Sequence, residues 1–267
     1  MTEMRRPPEN LPFLHLVPNL VTILGLCAGL TAIRFAFLGR FDLAAGLIVF
    51  AAVIDGFDGL LARKLDAASP IGAELDSLAD FVDFGVAPAI VVYIATLAGT
   101  AELGWTFALV FAVCCCLRLA RFNVNRDVPL EGRAHFVGVP APAGALLGLL
   151  PVFLMLGGVL DPARAPWAVA VWLGVVGLLM VSRLRTLSPK AVKISRERSR
   201  FILVAAALLV GLMLTRFWLL LVIFDVAYAA LLVHAVVSAR RHRRRCRRFP
   251  HGNRCRTPVL SPLGAGL

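Results

Sequence analysis

Long apolar stretches separated by short polar connections make up most of this chain. A helix that crosses the hydrocarbon core of a bilayer needs about 20 mainly apolar residues, and up to eight stretches approach or reach that length. No separate soluble domain is visible between them. The pattern therefore predicts an all-α, polytopic transmembrane helix bundle, with spans at residues 16–38, 43–62, 75–99, 103–121, 136–158, 165–183, 200–214 and 217–237.

The segment 201–239 has two interpretations, one long helix or two spans. Thr215 and Arg216 are polar, and the aromatic pair Phe217 and Trp218 that follows is typical of a membrane interface. These residues favour two helices joined by a tight turn, which gives eight spans, or six if two stretches are misread. We treat residues 1–239 as one membrane domain and expect the basic segment 240–267 to be a disordered cytoplasmic tail.

Composition excludes two other classes of protein. Hydrophobic residues make up 59% of the chain and charged residues 16%, and the mean hydropathy is +0.82. Soluble domains contain about 45–50% apolar and about 25% charged residues, and disordered chains have low hydrophobicity. The chain is therefore predicted to be an integral membrane protein.

The net charge of +12 predicts the orientation in the membrane. Of the 28 Lys and Arg residues, 24 lie in the termini and connections that share one side, and four lie on the other side. Basic residues concentrate on the cytoplasmic side, so both termini are expected there and the number of spans is even. The arginine-rich run after residue 239 has no aromatic interleaving, so we expect it to bind anionic lipid rather than nucleic acid.

Acidic residues are concentrated at the predicted cytoplasmic ends of the second and third spans. Acids inside a membrane are costly and are candidates for function. Asp55 and Asp58 are three residues apart, and Asp76 and Asp80 are four apart, so each pair shares one helical face. The two helices are joined by a short loop, and their acidic faces can therefore meet just below the cytoplasmic surface.

Four converging carboxylates would repel one another unless cations neutralise them or some protonate. Hard divalent ions prefer oxygen ligands, and no nearby His or Cys suggests zinc. We therefore expect two divalent cations, Mg²⁺ or Mn²⁺, in an arrangement suited to a diphosphate substrate. Asp66 and Glu74 are expected to be ordinary helix-end charges, and Asp225, alone in the last span, has no role in this interpretation.

These acids belong to a longer motif. Asp55-x-x-Asp58-Gly59-x-x-Ala62-Arg63, followed after eight residues by Gly72-x-x-x-Asp76-x-x-x-Asp80, resembles the signature of the CDP-alcohol phosphotransferase family at all eight fixed positions. Residues 17–22 resemble the first-span motif of the family. Three further segments, 76–88, 118–123 and 136–142 with its pattern Phe136-x-Gly138-x-Pro140-x-Pro142, resemble the phosphatidylserine synthase branch.

The resemblance implies an enzyme of phospholipid biosynthesis. Its expected reaction transfers the phosphatidyl group from CDP-diacylglycerol to L-serine and gives phosphatidylserine and CMP, by attack of the serine hydroxyl on the β-phosphorus. The family has a six-span core, to which this chain would add two spans, and its members are often homodimers. We expect an integral protein of a bacterial cytoplasmic membrane, with the lipid bilayer as its environment and its active site facing the cytoplasm.

The resemblance also implies roles for individual residues. The family assigns metal binding to the aspartates at the positions of Asp55, Asp58, Asp76 and Asp80, and proposes the last, Asp80, as the general base. Contacts to the CDP moiety fall on Asn19, Thr22, Gly59, Arg63 and Ser69.

The acceptor needs its own contacts in the same cavity. Arg118 and Arg121, three residues apart and mostly buried if residues 103–121 form a span, are candidates for binding the serine carboxylate, together with Asn123. The positive-inside rule explains the same arginines without any ligand. Asp83 continues the face of Asp76 and Asp80 and is a candidate for contacting the serine ammonium.

Two alternatives stay open. The same chemistry could use another alcohol, glycerol 3-phosphate or inositol, because no spacing in the sequence separates the acceptors. A cation-coupled transporter would also carry acids and glycines in its spans. Against a transporter, the acids lie near the cytoplasmic surface rather than at the midplane, and no duplicated half is visible.

Overall fold

The computed structural model describes residues 17–65, 70–100, 102–124, 136–182, 185–186, 211–213 and 215–248. These residues are helical apart from short turns and one small β-ladder, which confirms the predicted all-α class. Within these described ranges, four helical segments are long and apolar enough to cross a membrane: Asn19–Phe37, Ile71–Thr100, Glu102–Val124 and Phe217–His234.

The first two helices form an antiparallel hairpin, α1 (Val17–Phe37) and α2 (Phe41–Leu65). Both helices bury small side chains: Ala28, Ala32 and Ala36 recur every four residues on α1, and Ala44 and Ala45 are buried on α2. Small residues let helices approach closely in a membrane, where lipid offers no hydrophobic driving force for association. This close pair fixes the position of the acidic end of α2.

The third span is one long helix with changes of pitch. It comprises α3 (Pro70–Phe81), a π-helical turn (Val82–Val86), α4 (Ala87–Val92), a second π-helical turn (Tyr93–Leu97) and a 3₁₀ turn (Ala98–Thr100). Pro88 lacks an N–H, and its ring clashes with the carbonyl four residues earlier in a regular helix. The first π-turn precedes this proline, and the N–H of Ala87 donates to the carbonyl of Val82, five residues back. The widened turn lies directly after the acidic positions of α3.

The remaining elements complete the bundle. They are α5 (Glu102–Val124), β1 (Phe136–Val137), α6 (Ala141–Leu156), a 3₁₀ turn (Pro162–Arg164), α7 (Pro166–Val181), β2 (Arg185–Thr186) and α8 (Phe217–Arg248). β1 and β2 pair antiparallel, with Phe136 opposite Thr186. The core contains Phe84, Phe111 and Phe153, which are fully buried between the helices.

Several predicted boundaries are wrong. The spans predicted at 136–158 and 165–183 correspond to α6 and α7, which have only 16 residues each, about 24 Å of helix. Residues 136–137 of the first belong to β1, and Pro140 and Pro166 mark the helix starts, because proline fits best at the beginning of a helix. Most of the predicted span 200–214 lies outside the described residues.

The basic tail also differs from the prediction. α8 continues to Arg248, so residues 240–248 are helical and the expectation of disorder is wrong for them. Arginine is a strong helix former, and this run contains no Gly or Pro that would end the helix. Residues 249–267 lie outside the described part of the chain.

Gly138 links the β-ladder to α6 and is expected to be intolerant of substitution. Its φ is +92°, and an added Cβ would lie 2.9 Å from the carbonyl oxygen of Met180 and 3.0 Å from that of Ser182. An L-residue is strained at such a φ, and here the backbone of the α7 end must also move. We expect Gly138→Ala to cost about 2–4 kcal/mol of stability, measured as a lower Tm of the purified protein in detergent.

Gly158→Ala is the matched control for that measurement. Gly158 also has a positive φ, +65°, but nothing lies within 4 Å of its added Cβ. The Gly158→Ala variant therefore measures the loss of stability from the strained φ alone, about 1 kcal/mol. Equal losses of Tm in the two variants would show that the contact with the α7 end contributes nothing.

Candidate active site

Three of the predicted metal ligands converge. One carboxylate oxygen each from Asp55, Asp76 and Asp80 lies within 4.8 Å of the others, and all three side chains are half-buried. Asp76 and Asp80 are one turn apart on α3, and Asp55 projects from the second half of α2. The hairpin and the third span thus bring together acids that are 21 to 25 residues apart in sequence.

This donor set fits a divalent cation. At such separations three charged carboxylates repel one another strongly in a partly desolvated site, and a hard cation with oxygen ligands removes the repulsion. Asp58 lies one turn beyond Asp55 on α2, but its side chain lies outside the part of the structure that is described. The group could therefore hold a metal ion.

Arg118 is a cation that interacts with this group. It interacts electrostatically with Asp80 and Asp55, and its Nε–H donates to the carbonyl oxygen of Val139 over 2.7 Å. The guanidinium is half-buried, and that bond uses one of its five N–H groups. Arg118 is therefore oriented by the chain entering α6 and directed toward the carboxylates.

Arg121 does not share this environment, and the prediction that it is mostly buried is wrong. Its side chain is exposed, and its Nη1–H donates to the carbonyl oxygen of Val181 at the end of α7 over 2.7 Å. Residues three apart on a helix are offset by about 60° around the axis, which here separates an inward side chain from an outward one. Arg121 fastens α5 to α7.

Asn123 connects the end of α5 to the acidic helix. Its Nδ2–H donates to Ser77 Oγ over 2.9 Å, and the two side chains also lie 3.2 Å apart between Ser77 Oγ and Asn123 Oδ1. Ser77 follows Asp76 directly, so this contact holds α3 at the height where its acids meet Asp55. The structure gives Asn123 a positioning role, and its contact with serine stays a prediction.

Asp83 lies deeper in the bundle than the metal-ligand group. The side chain is 4% exposed, and its Oδ1 has no hydrogen-bond partner among the described residues. The carboxylate packs on α1 at Gly25 and Gly29, so closely that a Cβ at Gly29 would collide with Oδ1. The sequence analysis did not predict that Gly25 and Gly29 make room for this carboxylate. The sequence pattern that points to it is two glycines four residues apart on α1.

The predicted CDP-binding residues are described unevenly. Asn19 is half-buried and Thr22 is 8% exposed, both in the first turns of α1. Gly59 and Arg63 lie in the last turns of α2, but their side chains lie outside the described set, and Ser69 lies in a segment that is not described at all. Their contacts with a nucleotide stay predictions.

The last helix brings two polar residues toward the bundle that the sequence left without a role. Asp225 is 4% exposed, and its Oδ2 has no hydrogen-bond partner in the described part of the chain. Tyr228, three residues later on the same face, is half-buried and interacts electrostatically with Arg118. α8 therefore reaches the vicinity of Arg118.

Comparison with known proteins places this arrangement in a family. A sequence profile described as CDP-alcohol phosphatidyltransferase matches residues 15–182, which include every carboxylate of the group and Arg118.

Three relatives carry the name CDP-diacylglycerol–serine O-phosphatidyltransferase. The protein of Mycobacterium leprae is 46% identical over 176 residues, covering 64% of this chain and 58% of the relative. That of Mycobacterium bovis is 38% identical over 232 residues, covering 85% and 80%. That of Helicobacter pylori is 34% identical over 185 residues, covering 67% and 75%.

The matched region is more than half of the chain, and it contains the motif, the converging aspartates and the helices that bring them together. The chain belongs to the CDP-alcohol phosphatidyltransferase family.

Proposed function

We propose that this protein is an integral membrane enzyme that transfers the phosphatidyl group of CDP-diacylglycerol to L-serine. The observation that carries the proposal is the group of three carboxylates, Asp55, Asp76 and Asp80, which α2 and α3 bring together. The names of the relatives support serine as the acceptor. The product lipid is phosphatidylserine, and the second product is CMP.

The reaction is a group transfer and needs no oxidant or reductant. The serine hydroxyl oxygen forms a bond to the β-phosphorus, the bond from that phosphorus to the CMP oxygen breaks, and CMP leaves with the electron pair. Asp80 takes the hydroxyl proton, the role of a general base. When bound by Asp55, Asp58, Asp76 and Asp80, two divalent cations, Mg²⁺ or Mn²⁺, would neutralise the diphosphate and stabilise charge on the leaving phosphate.

Other side chains orient the two substrates. Asn19, Thr22, Gly59, Arg63 and Ser69 contact the CDP moiety, and Arg63 is suited to bidentate binding of phosphate oxygens. Arg118 binds the serine carboxylate, because its guanidinium lies within electrostatic reach of Asp80 and Asp55, where the hydroxyl must react. Arg121, bonded to the end of α7, is less suited to this role.

The helices support a membrane location with the site near one surface. Large apolar side chains on the outer faces of α1, α5 and α7, among them Leu24, Val113 and Leu178, are more than half exposed, as lipid contact requires. The asymmetry of basic residues favours a bacterial inner membrane with both termini in the cytoplasm. We retain eight spans and a homodimer as parts of the proposal.

The acceptor is tested directly with the purified protein. With CDP-diacylglycerol and Mn²⁺ or Mg²⁺ present, we expect CMP release with L-serine and little with glycerol 3-phosphate or inositol. The lipid product is identified by mass spectrometry. CMP release with either of the other alcohols but not with serine would contradict the proposed acceptor while leaving the chemistry in place.

The carboxylate group is tested by substitution and by metal removal. Asp80→Asn removes the base and a metal ligand, so we expect CMP release to fall by at least about 100- to 10,000-fold, the range for loss of a general base. Chelation with EDTA should abolish wild-type activity, and added Mn²⁺ should restore it.

Asp161→Asn is the matched control, because Asp161 is an exposed aspartate that caps the 3₁₀ turn before α7. It should keep wild-type CMP release. Full activity of Asp80→Asn, or activity that persists after chelation, would exclude the proposed mechanism.

A further inference from the structure

The last helix lies close to Arg118, although it is outside the part of the chain that the family profile matches. α8 is seated on the bundle by Trp218, whose ring stacks on Phe153 of α6 with the ring centroids 5.9 Å apart. Val222 and Leu232 are buried on the same side of the helix. The face that α8 presents to the other helices therefore runs from residue 218 to residue 232.

A contact between α8 and α2 gives a common point from which distances along the two helices can be compared. Trp218 also lies beside α2, where its ring is 4.0 Å from the position of a Cβ added at Gly46. From Gly46, nine residues of α2 lead to Asp55, a rise of about 14 Å, and from Trp218, ten residues of α8 lead to Tyr228, a rise of about 15 Å. Measured along its own helix from this contact, each of Tyr228 and Asp55 is therefore about equally far away.

Tyr228 is also the residue of this face that interacts with the site. Its ring is half-buried and within electrostatic range of the Arg118 guanidinium. Asp225 is one turn away, and no charged side chain of the described residues acts on it. Of these two residues of α8, it is therefore Tyr228 and not Asp225 that interacts with Arg118.

We propose that Tyr228 binds the carboxylate of the acceptor amino acid together with Arg118, so that α8 completes the acceptor subsite. A phenol can donate one hydrogen bond, and a carboxylate drawn to Arg118 is a strong acceptor for it. This inference rests on the proposed function, since it takes L-serine as the acceptor. It makes Tyr228 a residue that selects acceptors bearing a carboxylate.

The test is a steady-state comparison of wild type with Tyr228→Phe, which removes the hydroxyl and keeps the ring. We expect the KM for L-serine to rise about ten- to a hundred-fold, the range for one hydrogen bond to a charged group. The kcat and the KM for CDP-diacylglycerol should stay near wild type. An unchanged KM for L-serine in Tyr228→Phe would overturn the inference.

Tyr93→Phe is the matched control, because Tyr93 is the other tyrosine of the chain and packs edge-on against Trp105 in the third span. Its kinetic constants should equal those of wild type. If both variants raise the KM for L-serine equally, the effect is general destabilisation and the inference is wrong.

A competitor without the carboxylate separates binding of that group from packing. 2-Aminopropane-1,3-diol has the hydroxyl and the amino group of serine but a hydroxymethyl in place of the carboxylate. Its inhibition constant against L-serine should be the same in wild type and in Tyr228→Phe. An equal weakening of serine and of the diol would overturn the assignment to the carboxylate. Failure of the proposed function would look different, because wild type itself would release no CMP with serine.

Discussion

The mutual repulsion of half-buried carboxylates is the constraint on which this structure depends. Asp55, Asp76 and Asp80 lie together between α2 and α3, partly removed from water, where like charges repel more strongly than they do in solution. Such a group is stable only if cations or protons offset the charge. The helix packing around it serves to hold these acids at a fixed separation, which is what binding of a diphosphate through divalent cations requires.

The packing that holds the acids uses small residues and hydrogen bonds rather than large apolar contacts. α1 and α2 approach along alanines, and α1 admits the side chain of Asp83 at Gly29, where a methyl group would not fit. Asn123 fastens α3 to α5 through Ser77. Arg118 is held by the carbonyl of Val139, whose position depends on the left-handed backbone of Gly138. The side chains that we propose to bind substrate are thus oriented by contacts with distant parts of the chain.

Much of this could be predicted from the sequence, because a membrane limits the chain to a few physical solutions. Apolar length predicted the helices, and the spacing of Asp76 and Asp80 predicted their common face. The limits of α6 and α7 could not be predicted from hydropathy, since a β-ladder and prolines set them. The exposure of Arg121 depends on the rotation of α5, and the approach of Tyr228 to Arg118 depends on how α8 packs against α2 and α6. Neither leaves a local pattern in the sequence.

The claim that the acids form a divalent-cation site is tested most directly by counting bound metal. Equilibrium dialysis of the purified protein against Mn²⁺, with CDP-diacylglycerol present, gives the number of ions per chain, and Asp76→Asn gives the contribution of the acidic group. We expect two ions bound to the wild-type chain and fewer bound to the variant. Wild-type protein that binds no Mn²⁺, or a variant that binds as much as wild type, would contradict it.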